Sequence, residues 1–169
     1  MYKIGDVILY GTDGVCRVSE IAKRKFGKET SQYYVLQSVY RESSVIYVPV
    51  GNEKLEAKMR TILSRDEIDS LIESIPKVEN IWIDNEPMRK IRYKEIITGG
   101  NRNELVQMVK TLRAHRSEQE KCGKKMHISD ERFLKDGEKI LNDEIAHVLN
   151  IRPEQVSPYI LQKLADFKS

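Results

Sequence analysis

The chain has 169 residues, of which 40% are hydrophobic and 33% are charged, and its formal net charge is +3. This length suits one ordinary domain or two small ones with a buried core, and no run of about eighteen apolar residues is present that would span a membrane. Residues 1–11 show neither a basic leader nor a small-residue cleavage site, so we expect a cytoplasmic protein.

Residues 1–54 are predicted to form a small β domain. Four segments rich in Val, Ile and Tyr are separated by turn formers, a pattern typical of short strands: DVILYG, GVCRVSEIA, SQYYVLQSV and SSVIYVPV. The segment KFGKETS is predicted to be a loop between the second and third strands. Pro49 cannot donate a backbone hydrogen bond, so the fourth strand is expected to end there or to lie at a sheet edge. Four or five short antiparallel strands favour an SH3-like or Tudor-like barrel, which suits a binding module.

The apolar period changes to that of a helix at residue 64. Ser64 stands three residues before Glu67, which is the spacing of a capping box, and the apolar residues that follow recur at helical intervals until Pro76. We therefore predict a linker at residues 55–63 and a helical domain at residues 64–169. The predicted fold class is α+β, with the β-barrel first and the helices after it.

Three further helices are predicted in the second domain. Leu105, Met108, Val109 and Leu112 form an apolar stripe that leaves Lys110 and Arg113 outside it. Ser129 is the expected N-cap of the next helix, whose inward positions are Leu134, Ile140, Leu141, Ile145 and Val148. Ser157 is the expected N-cap of the last helix, with Pro158 at its first position and Leu161, Leu164 and Phe167 on one side.

Positive charge is concentrated in one part of the chain. Residues 89–125 contain eleven Lys and Arg against four acidic residues, whereas the rest of the chain has a net charge of −4. Such an asymmetry is typical of a surface that contacts a polyanion, although a solvated lysine-rich helical face has the same composition.

Trp82, the only tryptophan, precedes the basic run of Arg89, Lys90, Arg92 and Lys94. The apolar neighbours Ile81 and Ile83 are consistent with a position of Trp82 in the core. Alternatively, a tryptophan beside a basic cluster can stack on an unpaired base or enter a base step, while the cations contact phosphates. If residues 88–97 are helical, Arg89, Lys90 and Lys94 are expected near one side, with Ile91 packed inward. Lys124 and Lys125, beside Gly123, would add a second anchoring point.

The sequence shows no pattern typical of a catalytic or metal site. Cys16 and Cys122 match no ligand spacing, and the three histidines are scattered. Phosphate-binding glycine loops and serine nucleophile elbows are absent. We therefore expect a protein that is not an enzyme and that uses no metal, no other cofactor, no small-molecule substrate and no membrane.

Several segments resemble one family of bacterial transcription regulators. KIGDVILYGTDGVCRV, YYVLQ and VIYVPV are similar to the RNA-polymerase-interacting domain of the CarD/CdnL regulators, a domain also found in transcription-repair coupling factors. GGNRNELVQMVKTL and GKKMHISDERFLKDGEKILNDEIAHVL resemble the helical C-terminal domain of the same regulators. The resemblance covers nearly the whole chain, with the motifs in the family's order.

The resemblance implies a protein with two partners. The N-terminal domain of such regulators docks on the RNA polymerase β subunit, partly by strand pairing, and by position Arg24, Ile46 and Tyr47 would carry that contact. The C-terminal domain touches promoter DNA at the upstream edge of the melted region, with a tryptophan in the minor groove and basic residues on phosphates. The matching residues here are Trp82, Arg89, Lys90, Arg92 and Lys94.

The expected function is therefore that of a regulator that holds polymerase and promoter DNA together and stabilises the open complex. The alternative is a helical adaptor whose positive face binds an acidic protein partner without contacting DNA. In that case Trp82 would be an anchor of the protein interface.

Overall fold

The computed structural model describes residues 1–168, which divide into two compact units, Met1–Ile62 and the helical remainder from Leu63 onward. The first unit contains an antiparallel sheet and the second, over residues 63–168, contains helices and no strand, so the predicted α+β class is confirmed. Within residues 1–168, no helix is both long enough and apolar enough to cross a membrane.

The first unit is a five-stranded antiparallel sheet in the order β4-β3-β2-β1-β5. The strands are β1 (Val7–Tyr10), β2 (Gly14–Phe26), β3 (Glu29–Ser38), β4 (Val45–Pro49) and β5 (Met59–Thr61), and a short helix, α1 (Glu53–Glu56), precedes β5. Alternate residues of the strands supply the core, which includes Ile8, Cys16, Val18, Tyr34, Leu36 and Val48. Pro49 is the last residue of β4, and β4 is an edge strand, as predicted.

Two connections in this unit differ from the sequence predictions. The segment predicted as a loop, residues 25–31, mostly belongs to β2 and β3, because the two strands are joined by a turn at Gly27 and Lys28 alone. Gly27 has a φ of +67°, a conformation that glycine adopts without steric cost. The segment predicted as a linker, residues 55–63, contains β5, which pairs with β1, so the sheet unit continues to Ile62.

Within residues 63–168, the second unit contains five α-helices. They are α2 (Arg65–Ser74), α3 (Glu86–Gly99), α4 (Arg102–Lys121), α5 (Ile128–Leu149) and α6 (Val156–Lys168). The capping box at the start of α2 is confirmed, with the Ser64 hydroxyl accepting from the Glu67 amide and the Glu67 carboxylate accepting from the Ser64 amide. The predicted N-caps of the last two helices are wrong. His127 precedes α5, and α6 continues directly from a 3₁₀ turn at Pro153–Gln155.

The core of the helical unit lies between α4 and α5. The predicted α4 stripe is buried, with Met108 and Leu112 only 2% and 0% exposed. Gly137 allows the close approach of α5, since a Cβ atom there would lie 2.8 Å from the Met108 Cε and 2.9 Å from a Val109 methyl group. In contrast, α6 leaves Leu161 largely exposed.

Candidate functional sites

The free edge of β4 carries the predicted polymerase-binding residues Ile46 and Tyr47. Among the described strands, β4 pairs only with β3, through the register Leu36 opposite Ile46 and Val35 opposite Tyr47. Its outer backbone groups are therefore available to another strand. The two side chains point to opposite faces, because Ile46 packs against the core while Tyr47 is 42% exposed.

Tyr47 belongs to an exposed aromatic cluster that the sequence analysis missed. Its ring centroid lies 5.4 Å from that of Phe26 and 6.4 Å from that of Tyr33, and Phe26 and Tyr33 are themselves 5.1 Å apart. We call these three residues the edge cluster. Its members come from β2, β3 and β4, so only strand register brings them together.

Arg24 lies on the same face as the edge cluster. It is two residues before Phe26 on β2, and side chains at that spacing share a face. Its guanidinium group donates to the Glu20 carboxylate at 2.8 Å, and both side chains remain accessible. The structure therefore brings Arg24 and Tyr47 onto one surface.

Trp82 is half-buried and has two close neighbours. Its ring stacks on that of His115, with centroids 3.8 Å apart and an interplanar angle of 15°, and the Arg89 guanidinium carbon lies 4.4 Å from its ring centroid. The segment that carries it is anchored to α4, because the Ile81 amide donates to the Thr111 hydroxyl at 3.1 Å. Trp82 is thus held against the helical unit, with only part of its surface accessible.

The structure does not support the assignment of Arg89 to phosphate binding. Its side chain is buried, and it donates two hydrogen bonds of 2.9 Å to the two carboxylate oxygens of Asp130. It also donates to the Ile83 carbonyl at 2.9 Å. The guanidinium group is therefore used inside the protein, where it fixes the segment after Trp82.

The other predicted cations of α3 lie at the surface. Lys90 pairs with Glu86 at 2.7 Å, and this contact holds the pKa of the Glu86 carboxyl below its usual value. Arg92 pairs with Glu104 at 2.7 Å, and this hydrogen bond raises the pKa of Arg92. Lys94 is exposed. Ile91 was expected to pack inward, but it is 62% exposed because the buried side of α3 is formed by Arg89, Tyr93, Ile96 and Ile97.

A surface cleft lies between α3 and the first turns of α5. We call it the α3–α5 cleft, and its lining residues are Lys90, Ile91, Lys94, His127, Ile128, Ser129, Arg132 and Phe133. Three of these are cations and none is a carboxylate, although Glu86 reaches both Lys90 and His127. Lys124 and Lys125 are exposed in the α4–α5 connection, which enters α5 immediately beside the cleft. The sequence analysis did not identify Arg132.

A buried tyrosine lies behind the cleft. Tyr93 is 2% exposed and makes an edge contact with Phe133, at a centroid distance of 5.7 Å. Burial, together with the charge of Asp130, raises the pKa of Tyr93 to about 12. Its hydroxyl group therefore stays protonated at any physiological pH.

Comparison with protein families finds a known domain that is similar to the first unit. Residues 2–63 match the model of the CarD-like/TRCF RID domain. The first unit is similar to a CarD-like/TRCF RID domain, and we refer to it as the RID domain. The resemblance to CarD-like proteins is thus confirmed for this unit, and it indicates a transcription-related role that involves RNA polymerase. The matched range includes β5, in agreement with the extent of the sheet. No curated protein matches the chain.

The RID match ends at residue 63. A role for the helical unit therefore has to be inferred from its own surface residues. Among residues 1–168, no group of three or more His, Cys, Asp or Glu side chains is arranged to hold a metal ion. This surface carries the α3–α5 cleft, which collects Lys90 and Lys94 with Arg132.

Proposed function

We propose that this protein is a non-enzymatic cytoplasmic regulator that binds the RNA polymerase β subunit through its RID domain and promoter DNA through its helical unit, and thereby stabilises the open complex. The observation that carries the proposal is the free β4 edge, in a domain of the RID family, beside Arg24 and the edge cluster. The contact with DNA rests on the cations around the α3–α5 cleft.

The β4 edge suits docking by strand addition. An incoming strand of the β subunit would pair with the backbone of β4 around Ile46, and main-chain hydrogen bonds would supply part of the affinity. Specificity would come from the exposed face, where Tyr47 offers an aromatic surface and Arg24 a charge. Aromatic and Arg side chains are the residues that most often dominate interface energies.

The helical unit supplies contacts suited to the phosphates of DNA. Lys90, Arg92 and Lys94 on α3 are joined by Lys124 and Lys125, and we assign this set to sequence-independent contacts upstream of the melted region. Arg89 is left out because it is buried against Asp130. The accessible part of Trp82 would contact the minor groove from its fixed position.

Stabilisation of the open complex follows from binding linkage. A factor that contacts melted DNA more favourably than closed duplex shifts the equilibrium by the difference between its two affinities. Docking on polymerase raises the effective concentration of the DNA-binding surface at the promoter, so weak DNA contacts suffice. The same stabilisation would activate or slow initiation, depending on which promoter step limits the rate.

The experiment that tests the proposal measures binding of the full chain to RNA polymerase and to its isolated β subunit. Arg24→Glu combined with Tyr47→Ala is expected to weaken both interactions by about tenfold or more, because two exposed interface side chains are removed. Arg60→Glu is the matched control, since Arg60 is an exposed arginine on β5, at the opposite edge of the sheet. Equal binding by the double variant and the wild type would contradict the assignment of this edge, and no binding by the wild type would refute the proposed function.

A further inference from the structure

The α3–α5 cleft presents large aliphatic side chains to solvent. Ile91 is 62% exposed and Ile128 is 81% exposed, and both line the cleft. Ile91 lies three residues before Lys94 on α3, and Ile128 lies four residues before Arg132 on α5. Residues at these spacings are neighbours on a helix surface, so each isoleucine stands beside a cation.

This combination fits a partner that is anionic outside and apolar inside. In nucleic acid the phosphates lie at the surface and the base faces lie within the stack, and an aliphatic side chain can enter a base step that has been unstacked. An acidic amphipathic helix would instead need hollows that receive its own apolar side chains. Ile91 and Ile128 line the cleft but are themselves largely exposed to solvent, which suits side chains that enter a partner, and the neighbouring cations suit its phosphates, so the observations favour DNA.

We propose that Ile91 and Ile128 contact unstacked bases at the edge of the melted region, while Lys94 and Arg132 hold the adjacent phosphates. This inference rests on the proposed function and names the apolar part of its DNA contact. In closed duplex the base faces are covered by stacking, so the two isoleucines meet them only after the step has opened. They therefore contribute to the preference for opened DNA, whereas the cations bind both forms.

The contact is separate from that of Trp82. The indole is packed against His115 and Arg89, and it does not line the cleft. The isoleucines are not needed to cover a core, so changing them to polar residues should leave the helical unit folded. This makes the role of the cleft testable without disturbing the tryptophan.

The test compares binding of the full chain to a forked promoter fragment and to a fully paired fragment of the same sequence, by fluorescence anisotropy at several salt concentrations. Ile91→Ser combined with Ile128→Ser is expected to lower affinity for the fork by about tenfold, with affinity for the duplex and the salt dependence unchanged. Lys94→Gln combined with Arg132→Gln should weaken both complexes and flatten their salt dependence. Leu161→Ser is the matched control, because Leu161 is also an exposed aliphatic residue, 70% exposed, but lies on α6 outside the cleft.

The outcomes separate this inference from the proposed function. If the double isoleucine variant keeps the fork preference of the wild type, the inference is overturned while the proposed DNA contact stands. If the wild type binds neither fragment by itself and does not raise the affinity of RNA polymerase for either of them, the DNA contact fails and the inference fails with it. Binding of an acidic amphipathic peptide that the isoleucine variant no longer binds would then identify the cleft as a protein-docking surface. Thermal unfolding followed by circular dichroism verifies that every variant is folded.

Discussion

Arg89 and Asp130 form a buried ion pair that joins α3 to α5. The side chains are only 6% and 1% exposed, and the pair is bidentate, with further bonds from Arg89 to backbone carbonyls. Removing one member of such a pair leaves the other as an unpaired buried charge. The contribution of Arg89 is therefore structural, and through its contact with Trp82 it also positions the indole.

Arg89→Ala is expected to lower the free energy of unfolding by about 3–5 kcal/mol, because Asp130 is then buried without its counter-charge. Arg92→Ala is the matched control on the same helix. The Arg92 side chain is 43% exposed, and its ion pairs are expected to contribute less than about 1 kcal/mol. Urea denaturation measures both variants.

A double variant separates the loss of stability caused by an unpaired buried charge from the loss caused by poorer packing. Arg89→Met combined with Asp130→Leu removes both charges and keeps much of the volume, so it should be more stable than Arg89→Ala. If Arg89→Ala unfolds at the same urea concentration as the wild type, the pair does not hold α3 and α5 together.

At the scale of the elements, the contact between α4 and α5 depends on the absence of a side chain at Gly137. Glycine inside a helix costs stability relative to alanine, by roughly 0.5–1 kcal/mol. That cost is offset here because α5 approaches Met108 and Val109 closely at this point. Helix packing therefore overrides helix propensity at Gly137.

Gly137→Ala is expected to lower the free energy of unfolding by about 1–3 kcal/mol, since the new methyl group meets the Val109 side chain. Gly99→Ala, at the end of α3, is the control. A Cβ atom at Gly99 would meet no atom within 4 Å, so that variant should be unchanged or slightly more stable. Thermal or urea unfolding compares the two.

The outcome at Gly137 depends on how far its neighbours can move. The Met108 Cε atom ends a flexible side chain and can shift at low cost, whereas the branched Val109 side chain is stiff. Adding Val109→Ala should therefore recover part of the stability. A Gly137→Ala variant that is stabilised as much as Gly99→Ala would show that α5 does not approach α4 as closely as described.

At the scale of the whole molecule, the proposed function requires two binding activities on one chain. In the proposal each unit would supply one of them, the RID domain through its free β4 edge and the helical unit through its cations. Neither activity needs to be strong by itself, because docking on polymerase raises the local concentration of the second binding surface. Because the two binding surfaces belong to different units, a substitution in one unit should not change the affinity of the other unit for its own partner.

Lys90→Glu combined with Lys94→Glu is expected to weaken DNA binding uniformly across sequences and to reduce the salt slope by about 2, because each lysine neutralises one phosphate. Polymerase binding should be unchanged, and the lifetime of the open complex should shorten. Lys23→Glu is a charge-matched control for DNA binding, since Lys23 is exposed on β2 in the RID domain. An unaltered salt slope in the double variant would show that the basic face of α3 is only solvated.

Prediction from the sequence succeeded where the signal is local. The strands around DVILYG and VIYVP and the capping box of Ser64 and Glu67 follow from neighbouring residues, because alternation and capping act over a few positions. It failed at β5, a three-residue strand that exists only through its register with β1. For Arg89 the deciding partner lies 41 positions away in the sequence.

The sequence by itself determined the order and type of most elements, the similarity of residues 2–63 to the RID domain and the concentration of positive charge in residues 89–125. Only the tertiary structure decided which of those charged side chains face solvent, and it buries Arg89. It likewise decided that the apolar side chain of Ile91 is exposed. The physical reason is that helix period and composition specify what a segment can form, whereas the burial of a charge depends on whether a distant counter-charge meets it, as Asp130 meets Arg89.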